Sequence, residues 1–140
     1  MRRRDGFTLI ELMVVVAIIG ILVSVAAARY NDTLRRANEG ATRGNLGTVR
    51  SALRIYNADT EGYYPESLAV LAQGSRFLNR VPEIEVPFFH PDSNAVRLSA
   101  SPSNDAGGWQ FNNIPSDTSF GELWINCTHT DTSSSVWTSY

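Results

Sequence analysis

One apolar segment near the start of the chain limits what the chain can fold into more than any other feature. Residues 7–28 form a run of 22 residues in which Glu11 is the only ionisable one. As a helix rising about 1.5 Å per residue, this run would be roughly 33 Å long, which matches the hydrocarbon core of a membrane at about 30 Å. The sequence therefore predicts a membrane-spanning helix over residues 7–28.

The charges around this segment predict its orientation. Three arginines at positions 2–4 precede it, so the positive-inside rule places the N-terminus in the cytoplasm. A cleaved secretory signal is one alternative, since the small residues 26–28 imitate an A-x-A cleavage site. Glu11 argues against it, because an unpaired carboxylate within the bilayer costs on the order of 3 kcal/mol and a discarded segment has no use for it. A simple anchor, with Glu11 reaching the cytoplasmic headgroups, is the second alternative.

A short string at the start of this segment carries a family resemblance. The residues GFTLIE at positions 6–11, followed by LMVVVAIIGIL, resemble the N-terminus of type IV pilins and type II secretion pseudopilins. The resemblance implies that a prepilin peptidase cuts the chain after Gly6 and methylates the new N-terminal residue, Phe7. Residues 1–6 would then be a leader peptide.

Cleavage before Phe7 would create an α-amino cation one helical turn from Glu11. Among staggered helices, Glu11 of one subunit could neutralise the Phe7 amine of a neighbour, since each charge is costly alone and tolerable as a hydrogen-bonded pair. This pairing would select one axial register for assembly. In the family a mid-helix glycine, here Gly20, and a later proline, here replaced by Ala28, mark where the helix unwinds in the filament. We therefore expect less unwinding in this chain.

Beyond the apolar segment, apolar residues recur three and four positions apart and arginines occupy mostly the other positions. No proline interrupts the pattern, so one helix is predicted over residues 7–58, with residues 29–58 as an amphipathic stem. Gly40, Gly44 and Gly47 fall within the stem. There, close approach of a neighbouring helix or of a sheet is favoured over a hinge.

Residues 59–140 predict a globular head. Turn residues end the helical pattern, and a short helix is expected over residues 65–72. Strands are predicted over residues 95–100, 108–114 and 120–127, the last two as a hairpin. The fold class is therefore α+β, with the long N-terminal helix packed on a small antiparallel sheet. The resemblance to type IV pilins implies the same fold.

Two short stretches of the head resemble G-type pseudopilins and short pilins. These are Tyr64-Pro65 and Gly107-Gly108-Trp109. The chain departs from G-type pseudopilins in lacking a recognisable Asp-Pro-Trp-Gly-like segment and an acidic calcium-binding loop.

Charge separates by sign along the chain. Residues 29–54 carry a net +4 and residues 55–140 a net −7, so neighbouring subunits offer complementary charge. The whole chain has a net charge of −2, and removal of the leader, which carries +2, would leave −4 on the mature side chains.

Composition and motif spacing exclude several classes of protein. A net charge of −2 gives no strong field for nucleic acid, and the single cysteine, Cys127, excludes an internal disulfide and a cage of thiolates around a metal. His90 and His129 stand two residues before Asp92 and Asp131, and these four side chains could suit zinc. Both pairs are nevertheless interpreted as solvated turn residues, and Cys127 as a buried apolar thiol. A calcium site at Asp117 and Asp131 has less support still. We therefore expect no metal, no cofactor and, without a grouped nucleophile and base, no enzymatic activity.

The sequence predicts a structural subunit of a type IV pilus or pseudopilus that polymerises through its N-terminal helix. Expected partners are further copies in a helical homopolymer, minor pilins or pseudopilins, the prepilin peptidase, an inner-membrane assembly platform and, before assembly, membrane lipid, with no nucleic acid. The expected location is the bacterial inner membrane, as a single pass, and then an extracellular or periplasmic filament. The alternative is a bitopic, membrane-anchored surface binding module that does not polymerise.

Overall fold

The structure is a computed structural model that describes residues 6–86 and 88–140. The chain divides into two compact units, Met1–Leu34 and Arg35–Tyr140.

The longest element is helix α1 (Leu9–Asp59), which contributes residues to both units. The single long helix predicted over residues 7–58 is confirmed, with both of its ends shifted by one or two residues. Of the predicted leader peptide only Gly6 is among the described residues, and the arginines at positions 2–4 lie outside them.

The first unit contains the apolar part of α1. Its large apolar side chains, from Leu9 to Val25, are each at least 45% exposed in the single chain. The hydroxyl of Ser24 donates a hydrogen bond to the carbonyl of Ile21 at 2.7 Å, so this polar group is satisfied within the helix itself. By length and composition, α1 is able to cross a membrane. A helix of this kind requires lipid or another apolar surface around it.

In the second unit, the later part of α1 forms one wall of the core. Leu46, Val49 and Leu53 recur at steps of three and four and are at most 3% exposed. They form one apolar cluster with residues of the sheet, among them Trp109, Phe111, Leu123 and Ile125. Arg50, on the same helix, donates two hydrogen bonds to the carbonyl of Leu123, at 3.2 and 2.8 Å. This long helix and small sheet confirm the predicted α+β fold class.

The described part of the second unit contains one sheet, with its strands in the order β1 (Val96–Leu98), β2 (Trp109–Phe111) and β3 (Leu123–Ile125). β2 and β3 pair antiparallel, with Trp109 opposite Ile125, as the predicted hairpin requires. β1 and β2 pair in parallel, with Val96 beside Trp109, so the prediction of an antiparallel sheet is wrong for this pair. The reason is the connection over residues 99–108, which returns the chain to the start of β1 before β2 begins.

Gly108 makes this return possible. Its φ is +74°, a left-handed conformation that suits glycine. The next residue, Trp109, donates its N–H to the carbonyl of Ala95 at 2.8 Å, and a Cβ added at Gly108 would lie 2.4 Å from that same carbonyl oxygen. The start of β2 therefore depends on the absence of a side chain at this position.

The remaining helical elements of the described chain are short. Helix α2 spans Leu68–Leu71, and two 3₁₀ turns span Gln73–Ser75 and Trp137–Ser139. The short helix predicted over residues 65–72 is thus confirmed in a shorter form.

Three glycines of the stem lie on the exposed side of α1. A Cβ added at Gly40, Gly44 or Gly47 would meet nothing within 4 Å. The prediction that they allow close approach of the sheet is therefore wrong, whereas close approach of a neighbouring helix stays a prediction.

The C-terminal segment is tied to α1 through a buried carboxylate. Glu39 is 2% exposed and accepts hydrogen bonds from Arg35 at 3.1 Å and from the N–H of Thr132 at 3.0 Å. Trp137 is also buried, and it packs beside Tyr140 and against β3. A buried charge with several donors around it is tolerated, so this pairing holds the end of the chain on the helix.

Candidate functional site

Helix α1 begins with a reciprocal cap between its first residues. Thr8 directly precedes the helix, and Glu11 is the third residue within it. The N–H of Glu11 points to the Thr8 hydroxyl at 3.3 Å, while the N–H and the hydroxyl of Thr8 donate to Oε2 of Glu11 at 2.8 and 2.6 Å. This arrangement is a capping box, which satisfies backbone N–H groups that have no partner within the helix. It also places a negative charge at the positive end of the helix dipole.

The predicted site residues lie just before helix α1 or in its N-terminal part. Gly6 and Phe7 precede α1, and Phe7 is 81% exposed. Glu11 is in the first turn, where it is joined to Thr8. Gly20 lies further along the helix, and a Cβ added there would meet nothing within 4 Å. Cleavage after Gly6, methylation of Phe7, and the assembly roles of Phe7, Glu11 and Gly20 stay predictions.

Thr8 is the functional residue that the sequence interpretation missed. Its signal was present, since a threonine followed three residues later by a glutamate at the start of an apolar helix is the sequence pattern of a capping box. The missed contact matters because it gives Glu11 a partner within its own chain.

The two histidines of the chain lie side by side in the second unit. The ring centroids of His90 and His129 are 5.3 Å apart. Oδ1 of Asp105 lies 3.3 Å from Nε2 of His90 and 3.4 Å from Nδ1 of His129, and Sγ of Cys127 lies 3.5 Å from the same Nδ1. The interpretation of the histidines as solvated turn residues did not foresee this cluster. The aspartate that joins them is Asp105 rather than the one two residues after either histidine.

The pKa values of Asp105 and Cys127 in this cluster are shifted in opposite directions. A hydrogen bond of 2.7 Å from the N–H of Thr128 lowers the pKa of Asp105 below its ordinary value. Burial raises the pKa of Cys127 to about 11. Cys127 is fully buried, which confirms the burial expected of this thiol.

The two aspartates considered for calcium both accept hydrogen bonds within turns. Oδ1 of Asp117 accepts from the side-chain amide of Asn112 and from the N–H of Ser119, each at 2.8 Å. Oδ1 of Asp131 accepts from two backbone N–H groups, of which that of Ser135 lies at 2.9 Å. These contacts give both carboxylates a role in holding local turns.

Comparison with known proteins connects the start of the chain to one family. The family signature described as "Prokaryotic N-terminal methylation motif" matches residues 1–27, which include the capping box and most of the apolar segment. The chain is also 43% identical over 60 residues to the type IV narrow pilus major component PilA5 of Thermus thermophilus, a match that covers 43% of this chain and 52% of that protein. Over its N-terminal part, the chain is similar to type IV pilins.

Other pilins show the same degree of similarity. The type IV major fimbrial protein FimA of Dichelobacter nodosus is 48% identical over 61 residues, or 42% of this chain and 38% of FimA. The fimbrial protein EcpB of Eikenella corrodens is 43% identical over 53 residues, or 38% of this chain and 33% of EcpB. The matches thus span between about a third and about a half of the length of these pilins. No solved structure matches the chain.

The names of these relatives describe structural pilus proteins. Similarity to such proteins over the N-terminal part of the chain agrees with the expectation of a structural subunit. The apolar side chains of α1 are exposed in the first unit, and the helix is long enough to cross a membrane. This feature would suit a pilus subunit and a simple membrane anchor equally.

Proposed function

We propose that this chain is a prepilin that is cut after Gly6, methylated on Phe7 and polymerised through its N-terminal helix into a pilus or pseudopilus. The observation that carries the proposal is the N-terminal methylation motif over residues 1–27 on a helix whose apolar side chains are exposed. Lipid would cover this apolar surface before assembly, and the helices of neighbouring subunits would cover it afterwards.

The charge at Glu11 supports polymerisation over simple anchoring. A carboxylate within an apolar helix carries a cost that only a partner offsets, and cleavage before Phe7 would supply a cation for it. Thr8 holds the carboxylate within one chain, at 2.6 and 2.8 Å. In the filament, the Phe7 amine of a neighbour would take its place and fix the axial register.

The same proposal assigns topology and partners. The arginines at positions 2–4 place the N-terminus in the cytoplasm by the positive-inside rule, and the second unit then lies beyond the inner membrane. The chain would meet the prepilin peptidase and an inner-membrane assembly platform first. Further copies and minor pilins or pseudopilins would join it in the filament.

The first experiment is mass spectrometry of the N-terminus of the chain purified from membranes that contain a prepilin peptidase. A peptide that begins with a methylated Phe7 is the expected result. Retention of Met1 would contradict the proposal and support the non-polymerising, membrane-anchored binding module. A new terminus near residue 29 would support ordinary secretion instead.

The second experiment separates the role of Glu11 in the capping box from its proposed pairing with the Phe7 amine of a neighbour. We expect Glu11→Ala to insert into the membrane and to form no filaments, or misregistered ones, because the Phe7 amine loses its partner. The readout is electron microscopy of sheared surface fibres beside membrane fractionation.

Thr8→Val is the matched control for this variant. It removes the hydroxyl of the capping box and keeps the carboxylate, so filaments should still form. Normal filaments from Glu11→Ala, or equal loss of filaments from both variants, would contradict the charge-pairing role.

A further inference from the structure

A cluster of four potential metal ligands lies in the second unit, far along the chain from the residues of the proposed assembly function. The cluster consists of His90, Asp105, Cys127 and His129, and one ligand atom from each lies within 4.8 Å of the other three. The geometry points to a zinc site formed by these four side chains. This inference stands independently of processing and polymerisation.

Three of the six distances between ligand atoms in the cluster match those of a tetrahedral site, and all six are within 4.8 Å. Zinc binds histidine nitrogen and carboxylate oxygen at about 2.0–2.2 Å and thiolate sulfur at about 2.3 Å, so neighbouring ligand atoms are separated by about 3.3–3.6 Å. The cluster has 3.3 Å from His90 to Asp105, 3.4 Å from Asp105 to His129 and 3.5 Å from His129 to Cys127. The two nitrogen–oxygen distances are slightly longer than the usual range for N–H···O hydrogen bonds, which ends at about 3.2 Å.

The histidine rings are already oriented by their surroundings. The ring of His129 stacks on Phe89, with the centroids 4.0 Å apart and the planes 17° from parallel. His90 packs against the backbone at Gly107, where an added Cβ would lie 3.1 Å from the Cβ of His90. Each ring is therefore held with one nitrogen toward the centre of the cluster: Nε2 of His90 and Nδ1 of His129.

The two acidic ligands are also fixed in place. Oδ1 of Asp105 accepts the N–H of Thr128 at 2.7 Å, which is the type of outer hydrogen bond that orients a carboxylate ligand. Cys127 is fully buried two residues after the end of β3, so its sulfur cannot turn away into solvent. A site with its ligands arranged in advance loses little conformational entropy when it binds an ion.

The mixture of ligands selects among divalent ions. Two imidazoles, one thiolate and one carboxylate suit a borderline ion such as Zn²⁺, whereas Ca²⁺ and Mg²⁺ prefer oxygen alone. Binding would release the thiol proton of Cys127 to solvent and leave the other ring nitrogen of each histidine protonated. The lone cysteine, which excludes a cage of thiolates, is compatible with a site of this mixed kind.

Such an ion would join three loops of the second unit. His90 precedes β1, Asp105 lies between β1 and β2, and the other two ligands follow β3. Because this unit has short strands and no internal disulfide, a metal cross-link would contribute directly to its folding stability.

The test uses the full chain in detergent, purified without a polyhistidine tag, treated with a chelator and then titrated with Co²⁺ and Zn²⁺. One equivalent of Co²⁺ should produce a thiolate-to-cobalt charge-transfer band, which only Cys127 can supply because it is the single cysteine. Zn²⁺ should abolish the band. At about a hundredfold excess over its dissociation constant, Zn²⁺ should raise the melting temperature of the tryptophan signal by more than about 5 °C.

Asp105→Asn and its matched control Asp92→Asn test the ligand set. Asp92 lies two residues after His90 in sequence and is exposed. Outer-shell partners alone change metal affinity by about 10–100-fold, so Asp105→Asn should weaken Zn²⁺ binding by at least about 10-fold and Asp92→Asn should leave it unchanged. His129→Gln should weaken binding to the same degree or more.

Two results would overturn the inference. One is the absence of both the charge-transfer band and any shift in melting temperature in the wild-type chain. The other is equal Zn²⁺ affinity in the wild-type, Asp105→Asn and His129→Gln chains, which would place any bound ion elsewhere.

Discussion

At the scale of single residues, Asp131 shows how a carboxylate stays charged in the core of the second unit. Its side chain is almost inaccessible, and burial by itself would raise its pKa. The hydrogen bonds it accepts outweigh that effect and lower the pKa below its ordinary value. They come from the hydroxyl of Tyr140 at 2.5 Å, the N–H groups of Ser133 and Ser135 at 2.8 and 2.9 Å, and the guanidinium of Arg43.

We predict that Asp131→Asn lowers the free energy of unfolding of the second unit by about 1–3 kcal/mol, because the amide leaves Arg43 with only the more distant carboxylate of Glu39, at 4.0 Å, and Tyr140 with a poorer acceptor. Tyr140→Phe removes one of these bonds and should cost less. The measurement is urea denaturation of the full chain in detergent, followed by tryptophan fluorescence. All three tryptophans lie at or beyond residue 109, so the signal reports the second unit alone.

The exposed Asp92→Asn chain is the reference for this series. It should unfold at the same urea concentration as the wild-type chain. An Asp131→Asn chain as stable as this reference would show that the buried charge contributes nothing to stability.

At the scale of elements, the register between β1 and β2 depends on Gly108. We predict that Gly108→Ala is more damaging than the left-handed conformation alone explains, since the new Cβ would lie 2.4 Å from the carbonyl oxygen of Ala95. Gly74→Ala is the matched control, because Gly74 has a φ of +65° and open space around it. We expect Gly74→Ala to lower the free energy of unfolding by about 1–2 kcal/mol because of backbone strain. Gly108→Ala should cost at least about 1 kcal/mol more, because backbone atoms must shift.

The same tryptophan-detected denaturation measures both glycine variants. Equal losses of stability in the two chains would mean that the parallel pair of strands adapts to a side chain at position 108.

Element types could be predicted from sequence where the pattern is local. The bounds of α1 follow from apolar spacing and the absence of proline, and the hairpin of β2 and β3 follows from turn residues between two apolar runs. The parallel pairing of β1 could not be predicted, because it is set by the path of residues 99–108 and by one close approach at Gly108. Strand direction is decided by the tertiary fold when the connection is too long for a tight turn.

The two candidate sites also differ in how far they could be predicted from the sequence. The roles of Glu11 and Phe7 were expected from a contiguous string, and the cap by Thr8 was available from the pattern T-x-x-E. The cluster around His90 was not accessible, because its members are separated by up to 39 positions and meet only when three loops fold together. Spacing rules detect metal ligands when two of them are close in sequence, and here only Cys127 and His129 are.

At the scale of the whole molecule, the proposed filament would be held mainly by apolar contact. The basic residues 29–54 and the acidic residues 55–140 offer complementary charge, but exposed ion pairs contribute less than about 1 kcal/mol each and are screened by salt. The exposed side chains between Leu9 and Val25 present a continuous apolar surface that salt does not weaken.

We therefore predict that assembled filaments survive about 1 M NaCl, where the Debye length falls to about 3 Å, and dissociate in detergent. Sedimentation of sheared filaments after each treatment measures the fraction that stays polymeric. Dissociation in salt with resistance to detergent would show that charge, rather than the apolar helix, holds the subunits together.

The reciprocal cap at the start of α1 has a consequence for the reversibility of the proposed filament. A subunit in the membrane already gives its Glu11 carboxylate two hydrogen bonds from Thr8, so entry into the filament exchanges one set of donors for another. The net gain at this residue on assembly is therefore smaller than it would be for a carboxylate without hydrogen-bond partners, and Glu11 would select the axial position without alone setting how tightly a subunit is held. A subunit withdrawn from the filament would recover its cap at once and return to the membrane pool ready for another round of extension.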